Sequence, residues 1–260
     1  MLLSICIPTF NRCALVVALV GGLLEQRGDF EVCVHVDGAT DGTAEELVAI
    51  ADPRLRVTTA PNRGRAASLH HAVARARGEF TMLFDDDDVL RAAGLERVLA
   101  DCAQPLPVGV IGFIYQLAGA DGRQLGSDFP AERSNFLALR NDAGVAGDKK
   151  EVVRTDLLWR AMGKAPSGTR RVPTSLYWSL LALDGDILCR NAIIGEKQYL
   201  AGGMSHGIAA LKAGNSRPMA ALYKTQLKGF AARRFRSPRA AARALAGLVW
   251  YGSAAALRGR

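Results

Sequence analysis

The sequence predicts an α/β protein in which a mostly parallel sheet is flanked by helices. Short apolar runs alternate with segments of helical periodicity over residues 1–102, as expected for a doubly wound domain. Several of these runs end in polar or acidic residues, and the carboxyl ends of parallel strands are where such sheets bind ligands. With 260 residues, of which 49% are hydrophobic, the chain can bury a full core.

The first predicted strand is Leu2–Ile7, an apolar run that ends at Pro8. Arg12–Gln26 follows as a predicted helix. Its apolar part, Ala14–Leu24, resembles the hydrophobic region of a signal peptide, but it comes after a strand and lacks a basic leader. It is also too short to span a bilayer, so we interpret it as a core helix.

The second strand is followed by a helix with a marked start. Phe30–Val36 is rich in β-branched and apolar residues and ends at Asp37, which indicates a strand that delivers a carboxylate to the sheet edge. Thr43 and Glu46 have the spacing of a capping box, in which the two side chains satisfy free backbone N–H groups. We therefore expect a helix to begin at this point.

A third strand and helix precede the acidic part of the sequence. Leu55–Thr59 is a predicted strand. Asn62–Gly64 forms a turn, and an Ala-rich helix then reaches Arg77, because alanine has the highest helix propensity. Arg91–Cys102 is a further predicted helix, after the acidic run.

The acidic run Asp85–Asp88 directly follows the buried strand Phe80–Phe84. Alternation along an extended chain directs Asp85 and Asp87 to one side and Asp86 to the other. Adjacent carboxylates require a positive partner, and Mn²⁺ or Mg²⁺ is the natural one because these hard cations bind carboxylate oxygens and substrate phosphates. The alternative is a solvated acidic turn before the next helix.

The cysteines indicate a reducing environment. None of the five forms a C-x-x-C pair, and an odd number does not suit a disulfide framework. We therefore expect a cytoplasmic protein whose thiols are small apolar residues. They are Cys6, Cys13, Cys33, Cys102 and Cys189.

Charge is concentrated at the carboxyl end. The net charge is +8, yet no Asp or Glu follows Glu196 while twelve Lys and Arg residues do, so residues 1–196 carry −4. The basic character therefore belongs to the last quarter of the chain. We do not expect a nucleic-acid partner for this basic segment.

Five motifs lie in order along residues 7–88. They are Ile-Pro-Thr-Phe-Asn-Arg at 7–12, Val-Asp-Gly-Ala-Thr-Asp-Gly-Thr at 36–43, Asn-Arg-Gly at 62–64, Gly-Glu-Phe at 78–80 and the Asp85–Asp88 run. Together they resemble the family 2 glycosyltransferases of the GT-A fold. The resemblance implies a Rossmann-like nucleotide-binding fold and the transfer of a sugar from a nucleotide diphosphate donor, with a UDP-sugar expected. A dinucleotide oxidoreductase is disfavoured because no G-x-G-x-x-G opens the first helix.

The resemblance implies a binding role for five residues of the first half. Pro8, Thr9 and Phe10 at the end of the first strand, with Asp37 on the second, would hold the nucleotide base. Asp86 would face the ribose.

It also implies the metal ligands, which would be Asp87 together with Asp85. These enzymes often carry an arginine on the helix before the acidic strand. Its usual position is Leu69 here, so Arg65, one turn earlier, is the substitute.

The second half has its own strand, hairpin and motifs. Val108–Leu117 reads as a strand and Asp121–Gly122 as a hairpin turn. Three later segments resemble bacterial family 2 enzymes that build surface polysaccharides, and they are Gly147–Leu158, Val172–Trp178 and Tyr199–Ser205. His206, in a Gly-rich loop, is a lesser candidate for contact with the diphosphate or the acceptor.

One departure from the family concerns the general base. Those enzymes usually carry a carboxylate where this chain has Thr174, and a threonine hydroxyl cannot accept the acceptor's proton at neutral pH. The candidates that remain are Asp148, Glu151 and Asp156, and we expect the Asp148→Asn change to cost most. Alternatively, the enzyme differs in mechanism, or the protein is a catalytically impaired nucleotide-sugar-binding or partner protein.

We predict a GT-A domain over residues 1–215 and a basic helical extension over 216–260. Residues 1–102 would form the nucleotide-sugar-binding half and 103–215 the acceptor half. The resemblance implies metal-dependent, inverting transfer to a glycan or a lipid-linked glycan.

The extension ends in a predicted helix, Arg239–Leu257, with Ser237 as N-cap and Pro238 as first residue. Its apolar part after Arg243 is about 14 residues long, shorter than the roughly 20 needed to span a bilayer. It would therefore pack on the domain, or make peripheral contact with the inner face of a membrane through residues 233–260.

Overall fold

The structure is a computed structural model and describes residues 1–198 and 215–258. Its strands are β1 Leu3–Thr9, β2 Phe30–Val36, β3 Leu55–Thr59, β4 Phe80–Leu83, β5 Val89–Leu90, β6 Val110–Ala118, β7 Arg133–Ser134, β8 Lys149–Arg154 and β9 Asp186–Glu196. Its helices are α1 Cys13–Leu24, α2 Thr43–Ala49, α3 Arg65–Val73, α4 Ala92–Cys102, α5 Phe136–Asn141, α6 Thr155–Gly163, α7 Thr174–Asp184, α8 Ser216–Ala231 and α9 Pro238–Arg258.

The described strands form one mixed sheet with the order β3-β2-β1-β4-β8-β6-β9-β5, and β7 pairs with β9. The first four strands in this order are parallel. β8 lies antiparallel between β4 and β6. The predicted α/β class with a mostly parallel sheet is confirmed, and the antiparallel insertion of β8 is what the sequence patterns did not predict.

Helices cover both faces of the sheet, as buried parallel strands require. On one face, α1, α2 and α4 pack against the sheet through apolar side chains that include Val16, Val20, Leu47, Leu95 and Val98. The helices α3 and α5 to α7 cover the other face, α8 packs on α7, and α9 packs on α8, through side chains that include Leu69, Leu137, Leu158, Leu181 and Met219. The sheet is therefore the middle layer of three.

The start of α2 agrees with the prediction, but the capping box does not form. The Thr43 hydroxyl donates to Asp41 Oδ1 instead of accepting from the helix. Asp41 Oδ1 also accepts from the backbone N–H of Thr43 at 3.2 Å, and its Oδ2 accepts from that of Cys13 at 3.0 Å. Asp41 therefore connects the starts of α1 and α2.

Helix α3 ends at Val73, four residues before the predicted end at Arg77. The backbone N–H of Arg77 donates to Glu31 Oε1 at 2.6 Å, and that of Gly78 donates to Ser4 Oγ at 2.8 Å. These contacts with the starts of β1 and β2 turn the chain into β4. Tertiary contacts thus end the helix where local propensity would continue it.

The helices after residue 215 do not form a core of their own. Met219, Leu222 and Phe235 belong to the same apolar cluster as Leu137 and Tyr177. The division at residue 215 stays a prediction, because these helices share the core of the preceding domain. Ser237 Oγ accepts from the backbone N–H of Ala240 at 3.2 Å, which confirms the predicted N-cap of α9.

Candidate active site

The candidate site lies where β1, β2 and β4 end. The three strands are parallel and in register, with Cys6 of β1 beside Cys33 of β2 and Leu83 of β4. Their carboxyl ends therefore meet at one edge, and the loops after them bring Thr9, Asp37 and the Asp85–Asp88 run together.

Asp86 is tied to the first motif by side-chain hydrogen bonds. Its Oδ2 accepts from Thr9 Oγ1 and its Oδ1 from Arg12 Nη1, both at 2.7 Å. The same Nη1 donates to Asp87 Oδ2 at 2.9 Å. Burial raises the pKa of Asp86 despite this guanidinium. The sequence analysis did not single out Arg12 as a site residue. Its position as the last residue of the first motif was the signal that could have identified it.

Phe10 projects from the same edge, with 46% of its surface exposed. The next residue, Asn11, has φ of 50°, a left-handed conformation that asparagine tolerates better than most residues. Its Oδ1 accepts from the backbone N–H of Thr40 at 2.8 Å. The turn is thus held against the loop after β2, and it presents an exposed aromatic ring at the site.

Asp37 is buried and holds the loop before α3. Its two carboxylate oxygens accept from the backbone N–H groups of Arg63 and Gly64, each at 2.8 Å. This contact explains why the Asn-Arg-Gly motif accompanies the aspartate in the sequence. The base-binding role of Asp37 stays a prediction.

Basic side chains surround the other acids. Asp85 lies 2.6 Å from Arg65 Nη2 and 2.8 Å from Lys197 Nζ. Asp88 lies 3.3 Å from Lys150 Nζ and 3.2 Å from Lys197 Nζ. Although burial favours its neutral form, the cations of Arg65, Lys150 and Lys197 hold the pKa of Asp85 well below its usual range.

The acidic run therefore has a source of positive charge within the protein. The sequence reasoning did not foresee these partners, because it named only a divalent cation, whereas four basic side chains also pair with the four aspartates. They are Arg12, Arg65, Lys150 and Lys197.

The acids still suit a divalent cation. Asp85, Asp87 and Asp88 each place one carboxylate oxygen within 4.8 Å of the others. Asp88 Oδ1 is buried and accepts no hydrogen bond, and its charged neighbour is Lys197 Nζ at 3.2 Å. Three hard oxygen donors fit Mn²⁺ or Mg²⁺.

Asp88 joins this group because the run is a turn and not an extended segment. The backbone N–H of Asp88 donates to the carbonyl of Asp85 at 3.2 Å, which folds the fourth acid back toward the first. Alternation holds only for extended chain, so the sequence reasoning did not single out Asp88, and Asp86 and Asp87 share Arg12 Nη1 instead of facing opposite sides.

A cavity of about 460 Å³ opens beside these acids. Arg65, Asp85 and Lys197 line one side of it, and Asp148, Glu151 and Thr174 line another. The structure thus brings two of the three predicted base candidates to the same space as one predicted metal ligand.

Glu151 is the candidate with a perturbed environment. It lies on β8 beside Ile114 of β6, and burial raises its pKa to about 7. Within the described residues its carboxylate forms no salt bridge, and the more distant charges of Lys150 and Arg140 offset the desolvation only in part. Asp148 lies just before β8 and is exposed at the cavity.

Asp156 is not brought to the site. β8 runs antiparallel to β4, so Arg154 at its end lies beside Phe80 at the beginning of β4. Asp156, two residues later, is therefore at the opposite edge of the sheet, where it pairs with Arg154 at 3.3 Å and Arg160 at 3.1 Å. The Tyr199–Ser205 motif and His206 lie outside the described residues.

Comparison with known proteins gives the class. The profile described as "Glycosyl transferase family 2" matches residues 4–150, more than half of the chain. The chain therefore belongs to glycosyltransferase family 2, as the motifs predicted.

Curated relatives match over parts of their length. The chain is 35% identical over 103 residues to a chondroitin synthase of Pasteurella multocida strain Pm70, covering 38% of this chain and 11% of that protein. It is 28% identical over 157 residues to the glycosyltransferase GlyG of Streptococcus pneumoniae serotype 4, covering 57% and 52%. The chain thus spans from about a tenth to about half of the lengths of these relatives.

Solved structures show the fold. Staphylococcus aureus TarS residues 1–349 in complex with UDP-GlcNAc superimposes with a TM-score of 0.64 at 19% identity, over 89% of this chain and 73% of that one. The mannosyltransferase PcManGT of Pyrobaculum calidifontis, in complex with GDP-Man and Mn²⁺, gives 0.58 at 17% identity, over 99% and 78%. The predicted GT-A fold is confirmed.

Proposed function

We propose that this protein transfers a sugar from a nucleotide diphosphate sugar to a hydroxyl of a glycan or lipid-linked glycan. One observation carries the proposal. Three carboxylates that could hold a cation lie at the carboxyl edge of the sheet, and the cavity at this edge is lined by one of them, Asp85, and by Glu151, whose pKa is raised. Family membership supports the reaction class. A UDP-sugar is the first donor to test, because the TarS complex contains UDP-GlcNAc.

The donor would bind across the ends of β1 and β2. The exposed ring of Phe10 offers a face on which a base can stack, beside Pro8 and the buried Asp37. Asp86, fixed by Thr9 and Arg12, would accept from the ribose hydroxyls.

Mn²⁺ or Mg²⁺ would be held by Asp85, Asp87 and Asp88, and Mn²⁺ is present in the PcManGT complex. A bound cation would supply Lewis-acid neutralisation of the departing diphosphate. Lys197 would first have to release Asp85 and Asp88, because its ammonium lies 2.8 and 3.2 Å from their oxygens. Arg65 and Lys150 lie beside the same acids and would add positive charge near the diphosphate.

Glu151 is the proposed general base of an inverting transfer. A group with a pKa of about 7 is partly ionised at neutral pH and can take the proton of the attacking hydroxyl. Asp148, at the same cavity, is the second choice. Thr174 lines the same cavity. A carboxylate from another position in that cavity would therefore take the role of the general base that the family usually carries at the position of Thr174.

A second candidate function is nucleotide-sugar binding without transfer, which Thr174 favours. A thermal-shift screen of UDP- and GDP-sugars with and without Mn²⁺ tests donor binding in both cases. We expect one donor class to raise the unfolding temperature, and Mn²⁺ to increase the shift. If no nucleotide sugar shifts it, the proposal fails, whereas binding without donor hydrolysis would favour the second candidate.

We propose a cytoplasmic location with peripheral contact at the inner face of a membrane through residues 233–260. All five cysteines are free, as a reducing compartment would keep them. A lipid-linked acceptor would require the active site to approach a bilayer.

A further inference from the structure

Helix α9 is fixed on the protein by one of its faces. Ala240 and Ala244 are buried. A Cβ added to Gly247 would lie 2.5 Å from the ring of Tyr223 on α8, so the two helices approach closely here. The rings of Tyr223 and Tyr251 stack with centroids 5.8 Å apart. Packing against α8 therefore fixes the rotation of α9 about its own axis. It also determines which side chains of α9 face away from α8.

That opposite face is apolar and exposed. Four large side chains of the second half of α9, here called the docking face, are 55%, 63%, 73% and 75% exposed, and they are Leu245, Val249, Trp250 and Leu257. No charged residue occurs between Arg243 and Arg258. An apolar surface of this kind, confined to one helix, typically marks an interaction site.

Cations border the docking face. Arg239 and Arg243 lie in the first turns of α9, and Arg233 and Arg236 precede it, all four exposed. No acidic residue follows Glu196 in the sequence, and the nearby Asp142 accepts from the backbone N–H groups of Arg236 and Ser237 at 2.9 and 2.7 Å. Arg234 is not part of this border, because it pairs with Asp186 at 2.6 Å.

We propose that the docking face binds the surface of a bilayer that contains anionic lipids. Apolar side chains enter the headgroup region, tryptophan suits the boundary between water and hydrocarbon, and arginines attract anionic headgroups. This surface combines all three. The inference builds on the proposed location and is independent of the transfer chemistry.

The helix lies on the membrane and does not cross it. By length and composition, Pro238–Leu257 could span a bilayer, with a mean hydropathy of 1.2 over its most apolar window, so the prediction that it is too short must be corrected. Crossing would separate α9 from α8 and take Arg239 and Arg243 toward hydrocarbon, at a high cost. Surface binding keeps the packing and leaves the arginines among headgroups.

Docking would bring the active-site cavity close to the lipid. Gln226 of α8 lines the cavity, and α9 packs on this same helix. The helices α9 and α8 thus lie between the docking face and the site. A lipid-linked acceptor suits this arrangement because it cannot leave the bilayer.

The test is sedimentation of the full chain with two kinds of vesicle, phosphatidylcholine alone and phosphatidylcholine mixed with phosphatidylglycerol. We expect binding to the mixed vesicles only, with a blue shift of the Trp250 fluorescence. The double variant Val249→Ser with Trp250→Ser should lose at least tenfold in vesicle affinity. Because both side chains are exposed, its unfolding temperature should be unchanged.

A matched control replaces an exposed valine and tryptophan elsewhere, Val108→Ser with Trp159→Ser, which are 95% and 40% exposed. This variant should sediment like the wild type. A second comparison tests the role of charge. The double variant Arg239→Gln with Arg243→Gln should weaken vesicle binding. The double variant Arg75→Gln with Arg77→Gln, at two exposed arginines elsewhere, should not.

Four results would overturn the inference. They are no sedimentation with mixed vesicles, equal sedimentation with neutral ones, no effect of the Val249 and Trp250 changes, and binding that resists high salt and alkaline carbonate as a spanning helix would. If the protein binds no lipid but forms a dimer that becomes monomeric when Val249 and Trp250 are replaced, a second copy of the chain occupies the docking face instead. Donor hydrolysis is measured separately in solution, so loss of one activity does not depend on the other.

Discussion

The donor and acceptor sides of the cavity treat their acids differently. At the ends of β1, β2 and β4, each aspartate of the run lies against at least one cation, and Asp85 is held ionised by its neighbours. On β8, Glu151 is half-buried without a salt bridge among the described residues, and its pKa is raised to about 7. The difference teaches that paired charges keep one set of acids ionised while desolvation raises the pKa of an acid on the other side, where the proposed mechanism uses it to exchange a proton.

The largest expected effect comes from a change in the Asp85–Asp88 run. Asp87→Asn should lower the rate of transfer by roughly a thousandfold, because losing a metal-ligand charge removes several kcal/mol of transition-state stabilisation. The measurement is donor turnover with saturating Mn²⁺, together with UDP affinity. The exposed Asp121→Asn change is the control, and unchanged UDP affinity in the Asp87 variant would remove Asp87 from the metal site.

The next effect concerns the proton-exchanging side. Glu151→Gln should reduce turnover by at least roughly a hundredfold, the usual scale for loss of a general base. In the wild type the rate should fall as pH drops below about 7, since protonated Glu151 cannot act as a base.

Three comparisons sharpen the assignment of the base. Thr174→Ala should be mild because its hydroxyl takes no proton, and Asp156→Asn should be silent because that residue lies at the far edge. A hundredfold loss in Asp148→Asn with near-normal turnover in Glu151→Gln would transfer the role to Asp148, the residue that sequence alone favoured.

The same glutamate should reveal itself in stability. The folded state raises the pKa of Glu151 from 4.5 to about 7, so its stabilising contribution is fully present below pH 4.5 and is lost as pH rises through 7. At pH 8 the wild type therefore buries a charge that Glu151→Gln lacks. The variant should be more stable there by up to about 3 kcal/mol, measured by urea unfolding. An equal difference at pH 8 and pH 4 would contradict the raised pKa.

The smallest expected effect tests whether Lys197 competes for the acids. Lys197→Met should bind Mn²⁺ about tenfold more tightly, because Asp85 and Asp88 lose the ammonium that occupies their oxygens. Isothermal titration without any donor measures this. Lys224→Met, an exposed lysine on α8, controls for the change in net charge. Unchanged or weaker affinity would show that Lys197 does not compete.

The donor side could be predicted from sequence because its motifs are local. Thr9, Asp37 and Asp85 each follow a strand of a parallel sheet, so their common edge follows from strand direction alone. Asp88 was not singled out because a turn, and not strand alternation, positions it. Lys197 carried no signal, since it lies 112 residues from Asp85 in the sequence.

The acceptor side could be predicted only as a set of candidates. Asp148, Glu151 and Asp156 lie within nine residues of each other, and sequence spacing does not show which end of β8 meets the acids. The antiparallel pairing of β8 with β4 decides this, by placing Lys150 near Asp88 and Arg154 beside Phe80. Exposure then separates the half-buried Glu151, whose pKa is raised, from the exposed Asp148.

Release of the nucleoside diphosphate from a panel of UDP- and GDP-sugars, with Mn²⁺ present, tests the central claim most directly. The claim is that the ionised aspartates of the Asp85–Asp88 run and Glu151, which exchanges a proton, act at the same cavity in the same reaction. We predict metal-dependent release from one donor class by the wild type, and strong losses in both Asp87→Asn and Glu151→Gln. Donor binding without release by the wild type, or release that neither change reduces, would contradict it.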